Sequence, residues 1–308
     1  IDHYTKRGRG HPWEQSLNGS VGSRLTHPHG GKLVQQIISD PLPTDLESLT
    51  RLDVDEYVAM DARQIAIGTF SPLDGFMDQE TLESVLQRNC LPDETAWPMP
   101  ILLPLPQDSI SDFPTDEPIG LTYQGIVFAL LTSARQFTFD LNTLAEAWFG
   151  TENSDHPGVS RVYRNGDKFL SGKVSLLPNA LQFRKPYDIS PAQARQVFEH
   201  RHWQRVVGFH TRNVPHMAHE FLQFAAMEKA GCDGIFIHPV TGPKKVGDFS
   251  GDINLKTYEL LIDKFYPSNK ALLGGFLTYS RYAGPREAVF TALCRQNFGC
   301  SHFIVGRD

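Results

Sequence analysis

Apolar and polar positions alternate along this chain in two rhythms, and the change falls after Pro186. Beyond it, short apolar runs take turns with stretches of helical period. Ser190-Pro191 opens a helix through Gln193 to His200, with Ser190 as N-cap and Pro191 as first helical residue. The pattern then predicts strand 205–209, helix 216–230, strand Gly234 to Pro239 and helix Ile253 to Phe265. Strand Ala271 to Leu277, helix Pro285 to Asn297 and strand His302 to Val305 complete the series. Strand and helix in turn, at these spacings, predict a parallel sheet with helices on its faces. Such sheets bind ligands outside the carboxyl ends of their strands. The polar segments 210–216, 239–252 and 278–286 are therefore expected on one side of the sheet.

Residues 1 to about 185 read as irregular and strand-rich, punctuated by Pro92, Pro98, Pro100, Pro104, Pro106, Pro114 and Pro118. Met99 to Leu105, Ile119 to Leu131 and Gln136 to Leu141 are predicted strands. Asp55 to Ala66 is a predicted helix, and Ser71 to Phe76 a turn leading to a second helix through Thr81 to Arg88. Gly166-Asp167, between Val162-Tyr163 and Phe169-Leu170, reads as a hairpin. The expected division is a β-rich domain over 1–185 and an α/β domain over 186–308.

Composition narrows the function classes. Twenty-nine basic residues against 35 acidic ones, net charge -6, argue against a broad nucleic-acid surface. No run of 18 apolar residues points to a membrane span, and no signal peptide is visible. Cys90, Cys232, Cys294 and Cys300 are scattered without metal-type pairing and fit a reducing, cytoplasmic compartment. The Rossmann glycine fingerprint and the Walker A loop are both absent.

The chemistry concentrates in Phe209-His210-Thr211-Arg212-Asn213-Val214-Pro215-His216-Met217-Ala218-His219-Glu220. A strand, a polar turn and a helix opening with two histidines form an anion site, because free N–H groups and the helix dipole favour phosphate. Arg212 adds a rigid fork of donors, unless it forms a surface ion pair. Asn213 can donate to an oxyanion or cap the helix, and Thr211 can donate through its backbone. His216 and His219 have the spacing to share a phosphate chain; metal ligation lacks further ligands, and structural hydrogen bonding is the bland alternative. In Arg281-Tyr282-Ala283-Gly284-Pro285-Arg286-Glu287 one or both arginines are expected at the same pocket, one of them as a scaffold paired with Glu287 or another carboxylate. Lys244 and Lys245 are as well explained as a solvated pair as by ligand contact. Gly306 permits close backbone approach to a nucleotide, with Arg307 at phosphate and Asp308 at ribose or beside Arg307.

These segments, together with Pro28-His29-Gly30-Gly31-Lys32-Leu33 and Gly68-Thr69-Phe70-Ser71-Pro72-Leu73-Asp74-Gly75-Phe76, make nearly the whole chain resemble the ATP sulfurylase, or sulfate adenylyltransferase, family. The resemblance implies an N-terminal PUA-like β domain joined to a Rossmann-like α/β nucleotidyltransferase domain. It implies MgATP plus sulfate giving adenosine 5′-phosphosulfate and pyrophosphate, and the reverse. Magnesium would enter as MgATP, with no tightly bound protein metal, and a cytoplasmic homo-oligomer is expected. By the same resemblance Arg212 binds sulfate, Asn213 helps hold the phosphate chain, and His216 and His219 steady the α- and β-phosphates, with Thr211 counted among the catalytic residues and His210 at the sulfate pocket. Gly306, Arg307 and Asp308 would line the nucleotide site, while Arg281 and Arg286 carry over only as neighbours of it. The chain departs from the family where Gln is usual and His210 stands, so an altered pH dependence is expected. The family continues beyond Gly306-Arg307-Asp308, so the catalytic domain is expected to be incomplete at its C-terminal side. An adenylyltransferase with another acceptor and a noncatalytic nucleotide-binding fragment are the competing readings.

Overall fold

The computed structural model describes residues 25–38, 45–106, 113–178, 187–244 and 247–306. Arg307, Asp308 and Lys245 lie outside them, as do the N-terminal residues before Leu25.

The N-terminal unit is built on a five-stranded sheet. Its strands are β1 (Thr50–Asp53), β2 (Gly75–Phe76), β3 (Ile119–Tyr123), β4 (Ile126–Thr138) and β5 (Lys168–Leu176), in the order β1-β3-β4-β5-β2. β1 runs parallel to β3, and the remaining neighbours are antiparallel. Four helices accompany it: α1 (Glu56–Ala66), α2 (Gln79–Arg88), α3 (Leu141–Phe149) and α4 (Pro157–Asn165). Asp55, Asp78 and Asp140 cap the first three by accepting from backbone N–H groups three residues on.

Several expectations for this half are corrected. Gly166-Asp167 is not a hairpin turn, because Val162-Tyr163 lies in α4 and Gly166 is that helix's C-cap. Pro157 at the first turn, the capping ring of His156, and Val159 and Val162 on the buried side define α4. The segment Met99 to Leu105 is buried but not a regular strand; Pro104 makes one isolated bridge to Phe169. Pro98, Pro100, Pro104 and Pro106 lack the N–H a ladder needs. Ile119 to Leu131 is two strands turning at Gln124-Gly125, and Gln136 to Leu141 splits between β4 and α3.

The C-terminal unit begins at α5 (Pro191–His200), where Ser190 and Gln193 form a reciprocal capping box. The chain then alternates β6 (Val206–Thr211), α6 (Met217–Ala230), β7 (Gly234–Pro239), α7 (Gly251–Phe265), β8 (Ala271–Leu273), α8 (Pro285–Phe298) and β9 (His302–Ile304). All four strands are parallel, in the order β8-β7-β6-β9. The order reverses between β6 and β9, the first and the last of the four, which is the switch point of a Rossmann-type sheet. The central strands β6 and β7 are short apolar runs buried on both faces, with Ile235, Phe236 and Ile237 fully enclosed.

The two units share a core. Phe276, Ala283, Phe290 and Cys294 belong to the same apolar cluster as Phe70, Trp97 and Leu131. Around that cluster the contacts are polar and directional. Asn297 donates to the Thr69 and Ser71 carbonyls, and its Oδ1 accepts from the His29 backbone. The Gly30 segment packs on the Ser71-Pro72 turn so closely that a Cβ at Gly30 would lie 2.7 Å from Pro72. The two N-terminal motifs that carry the family resemblance thus meet at the joint with α8.

Candidate active site

Strand β6 ends at the switch point, and its last residues turn into the loop before α6. Thr211 is buried; its hydroxyl accepts from the Asn213 N–H at 3.1 Å, and its carbonyl accepts from Val240. The Arg212 carbonyl is gripped twice, by Lys244 Nζ and by Asn254 Nδ2, each at 2.7 Å. Asn254 sits fully buried on α7, so this clamp ties the loop after β6 to the next crossover. Fixing the backbone this way leaves the Arg212 side chain half-buried, with no hydrogen bond or ion pair among the described residues. Asn213 stands exposed beside it and does not cap α6.

His216 is the N-cap of α6, in extended backbone and without a side-chain cap bond. The helix N-terminus is therefore not closed over by its own chain, and its free N–H groups face outward. The His216 and His219 rings stack with centroids 3.7 Å apart and planes 27° from parallel. Burial, then the neighbouring His216, pulls the His219 pKa below its ordinary value. Tyr258 of α7, wholly enclosed, brings its hydroxyl to 3.5 Å from His219 Nδ1. Phe209 meets the same ring edge to face. His219 is thereby held as a neutral, oriented ring at the mouth of the helix.

His210 points to the other face of the sheet, toward α8. Its Nδ1 accepts from Arg295 Nη2 at 2.7 Å. Burial first, then the charges of Arg295 and Arg212, hold its pKa well below the usual imidazole range. A ring accepting at Nδ1 and kept neutral must carry its proton on Nε2. The expected pH dependence from replacing Gln by His is corrected accordingly: near neutral pH this histidine is a fixed N–H donor.

Gly306 follows β9, exposed, at the carboxyl end of the strand adjacent to β6. The structure thus gathers His210, Thr211, Arg212, Asn213, His216, His219 and Gly306 along one edge of the sheet.

Arg281 and Arg286 are not in this group. The Arg281 guanidinium is 3% exposed and forks onto Asp61 of α1, with Nη2 2.5 Å from Oδ1 and Nη1 3.2 Å from Oδ2. Its Nη1 also donates to the Tyr279 hydroxyl. Arg286 donates to the carbonyls of Val85, Leu86 and Pro98, closing the last turn of α2. Both arginines bind the N-terminal unit, Arg281 through a buried carboxylate among aromatic rings and Arg286 through backbone carbonyls. Glu287 does serve the loop, but through its carboxylate on the backbone N–H groups of Arg281 and Ala283.

Asn254, Tyr258 and Arg295 were not singled out by sequence, and Lys244, weighed as a solvated lysine or a ligand contact, instead holds the Arg212 carbonyl. The first two are four apart on the buried side of α7, a polar pair in an otherwise apolar stripe.

Comparisons with known proteins name the family. A family model described as ATP-sulfurylase matches residues 185–308, and one described as PUA-like domain matches residues 26–179. A sulfate adenylyltransferase of Synechococcus sp. is 42% identical over 94% of this chain and 75% of its own length. Those of Halothermothrix orenii and Thermococcus onnurineus are 40% and 36% identical over 92% of the chain and about three quarters of theirs. A hexameric APS kinase from Thiobacillus denitrificans superposes with a TM-score of 0.72 at 23% identity, over 92% of this chain and 53% of that one, and speaks for the fold alone. The N-terminal unit is PUA-like and the C-terminal unit is the ATP-sulfurylase fold, so the chain belongs to the sulfate adenylyltransferase (ATP sulfurylase) family of nucleotidyltransferases.

Proposed function

We propose that the site at the β6–β9 switch point performs the family's reaction by direct in-line transfer, with sulfate attacking the α-phosphorus of MgATP and pyrophosphate leaving. The observation that carries this reading is the pairing of an unengaged Arg212 guanidinium with an open helix N-terminus at one strand end. Sulfate is already anionic near neutral pH, so no general base is needed and no side chain need act as nucleophile. What the reaction needs is two repelling anions held in line, and charge stabilisation where pyrophosphate departs. Arg212 and the Nε2–H of His210 supply donors for the sulfate oxygens. Thr211 and Asn213 position the phosphate chain, and His216 and His219 follow the bridging oxygen as the Pα–O bond breaks. We assign nucleotide contacts to Gly306, Arg307 and Asp308, the last two lying outside the described residues. Magnesium enters as part of the substrate, neutralising the β- and γ-phosphates.

The proposed domain division places this chemistry in 186–308, with 1–185 as the PUA-like support. The membrane plays no part in the reading, and no described helix is long and apolar enough to span one. A homo-oligomer in the cytoplasm completes it. Met217 and Phe221, exposed on α6 at 85% and 71%, support association, and four free cysteines fit a reducing compartment. The test is pyrophosphate release from MgATP with and without sulfate. Release that requires sulfate is expected; release indifferent to sulfate would point to another acceptor and overturn the assignment.

A further inference from the structure

Arg295 of α8 is a fully buried cation with no counter-ion among the described residues. No carboxylate approaches it within ion-pair distance among the described residues, in contrast to Arg281 and Arg63, the latter paired with Asp188. Its guanidinium lies over the Phe276 ring at 4.3 Å. Its hydrogen bonds run to three neutral acceptors: the Thr291 carbonyl at 3.3 Å, the His238 carbonyl at 3.0 Å and His210 Nδ1 at 2.7 Å. Its Nε has no partner among the described residues. Burial pulls its pKa down to about 10, which still leaves it protonated near neutral pH. A buried, uncompensated charge is costly, and folds keep one where something else supplies the opposite charge.

The direction in which that charge is presented is fixed by His210. The ring receives the Arg295 N–H on one nitrogen and has no described partner on the other. His210 also keeps partial exposure at the end of β6, whereas Arg295 behind it has none. We propose that Arg295 is a positioning residue for sulfate: it locks His210 as the Nε2–H tautomer and passes its positive charge through that ring to the incoming oxyanion. The anion is then the missing counter-ion. A hydrogen bond donated into Nδ1 polarises the ring and strengthens the donor on its far side. This rests on the proposed reading in which His210 faces sulfate.

Every group packed against His210 favours the neutral ring. Arg295 comes from α8 and Arg212 from the strand's own exit. His238, the residue opposite on β7, is itself buried and neutral, and Phe276 closes the remaining side. Cys294 and Cys300 flank Arg295, and burial raises both thiols, so neither offers a thiolate.

The experiment has two independent readouts. Nitrogen-15 NMR of the unaltered protein should show His210 as the Nε2–H tautomer with no titration between about pH 6 and 8. A titrating ring, or a proton on Nδ1, overturns the proposal without any variant. In kinetics, Arg295→Met should raise KM for sulfate by roughly tenfold or more, the effect of losing a charge-assisted hydrogen bond. KM for MgATP should move little. The variant's KM for sulfate should also fall as pH is lowered, because the released ring regains an ordinary pKa and becomes a cation. The unaltered protein should show no such slope. Arg295→Lys should restore part of the sulfate affinity. A variant that weakens both substrates equally, with no pH slope, shows Arg295 to be structural and refutes the idea. If the unaltered protein releases pyrophosphate without regard to sulfate, the parent reading fails instead, and the tautomer measurement still decides whether Arg295 locks the ring.

Discussion

Two segments that follow strands of the parallel sheet each carry an arginine, and the structure uses them in opposite ways. After β6, Arg212 has its carbonyl clamped by Lys244 and Asn254 and its guanidinium unengaged. Beyond β8, Arg281 has its guanidinium buried on Asp61, across the joint with the N-terminal unit. Both look alike as residues in a strand-exit segment. The difference lies in what the rest of the fold offers: a carboxylate and aromatic walls in one case, and a solvent-facing helix N-terminus in the other. An arginine at a strand end therefore reads as a ligand only when no buried acid claims it.

That contrast can be broken by exchanging consequences. Asp61→Asn leaves the Arg281 charge buried and unpaired, and should lower stability by about 3–5 kcal/mol in denaturant unfolding. The sulfate KM of the folded fraction should stay near normal; a selective rise in it would return Arg281 to the substrate pocket. Arg212→Ala should do the reverse, lowering kcat/KM for sulfate by roughly 10²–10³-fold, about 3–4 kcal/mol, with an unchanged melting point. A variant that melts early but turns over normally would make Arg212 a scaffold.

A smaller effect sharpens the picture of the sheet interior. His238 is 1% exposed and its pKa is held well below the ordinary value, by burial and then by Arg295 and His210. The unfolded chain takes up a proton on this residue below about pH 6.5, while the folded one does not. Stability should therefore fall on acidification, by about 1.4 kcal/mol from His238 at pH 5.5 relative to neutral pH. His210 adds in the same direction. Melting curves at pH 7.5 and 5.5 measure the loss, and His238→Gln should remove part of it; equal stability at the two pH values would mean the ring is protonated in the fold.

The parallel sheet was legible in sequence because its elements carry strong local punctuation. Ser190-Pro191 opens α5, Gly231 closes α6 in the left-handed region, and Gly234 to Pro239 is an unbroken buried strand. In the other half, short proline-broken segments borrow their order from tertiary contacts. Met99 and Ile101 are buried without forming a ladder, while α3 was missed although Leu141, Leu144, Ala145 and Trp148 repeat at helical spacing. At the site, residues contiguous with the histidine segment were visible, since one loop carries them. Asn254, Tyr258 and Arg295 were not, because a polar residue inside a helix acquires meaning only once strand order says which strand end it faces. The arginines of the 281–287 segment were misplaced for the same reason: their partner Asp61 and the carbonyls of α2 are some two hundred residues away.

Helix α8 packs its aromatic side into the N-terminal core while Asn297 and Arg286 bind three separate segments of that unit. A clamshell motion would have to tear this helix from one half or the other. The two units therefore act as one stiff chassis, and a crosslink across the joint should leave turnover untouched.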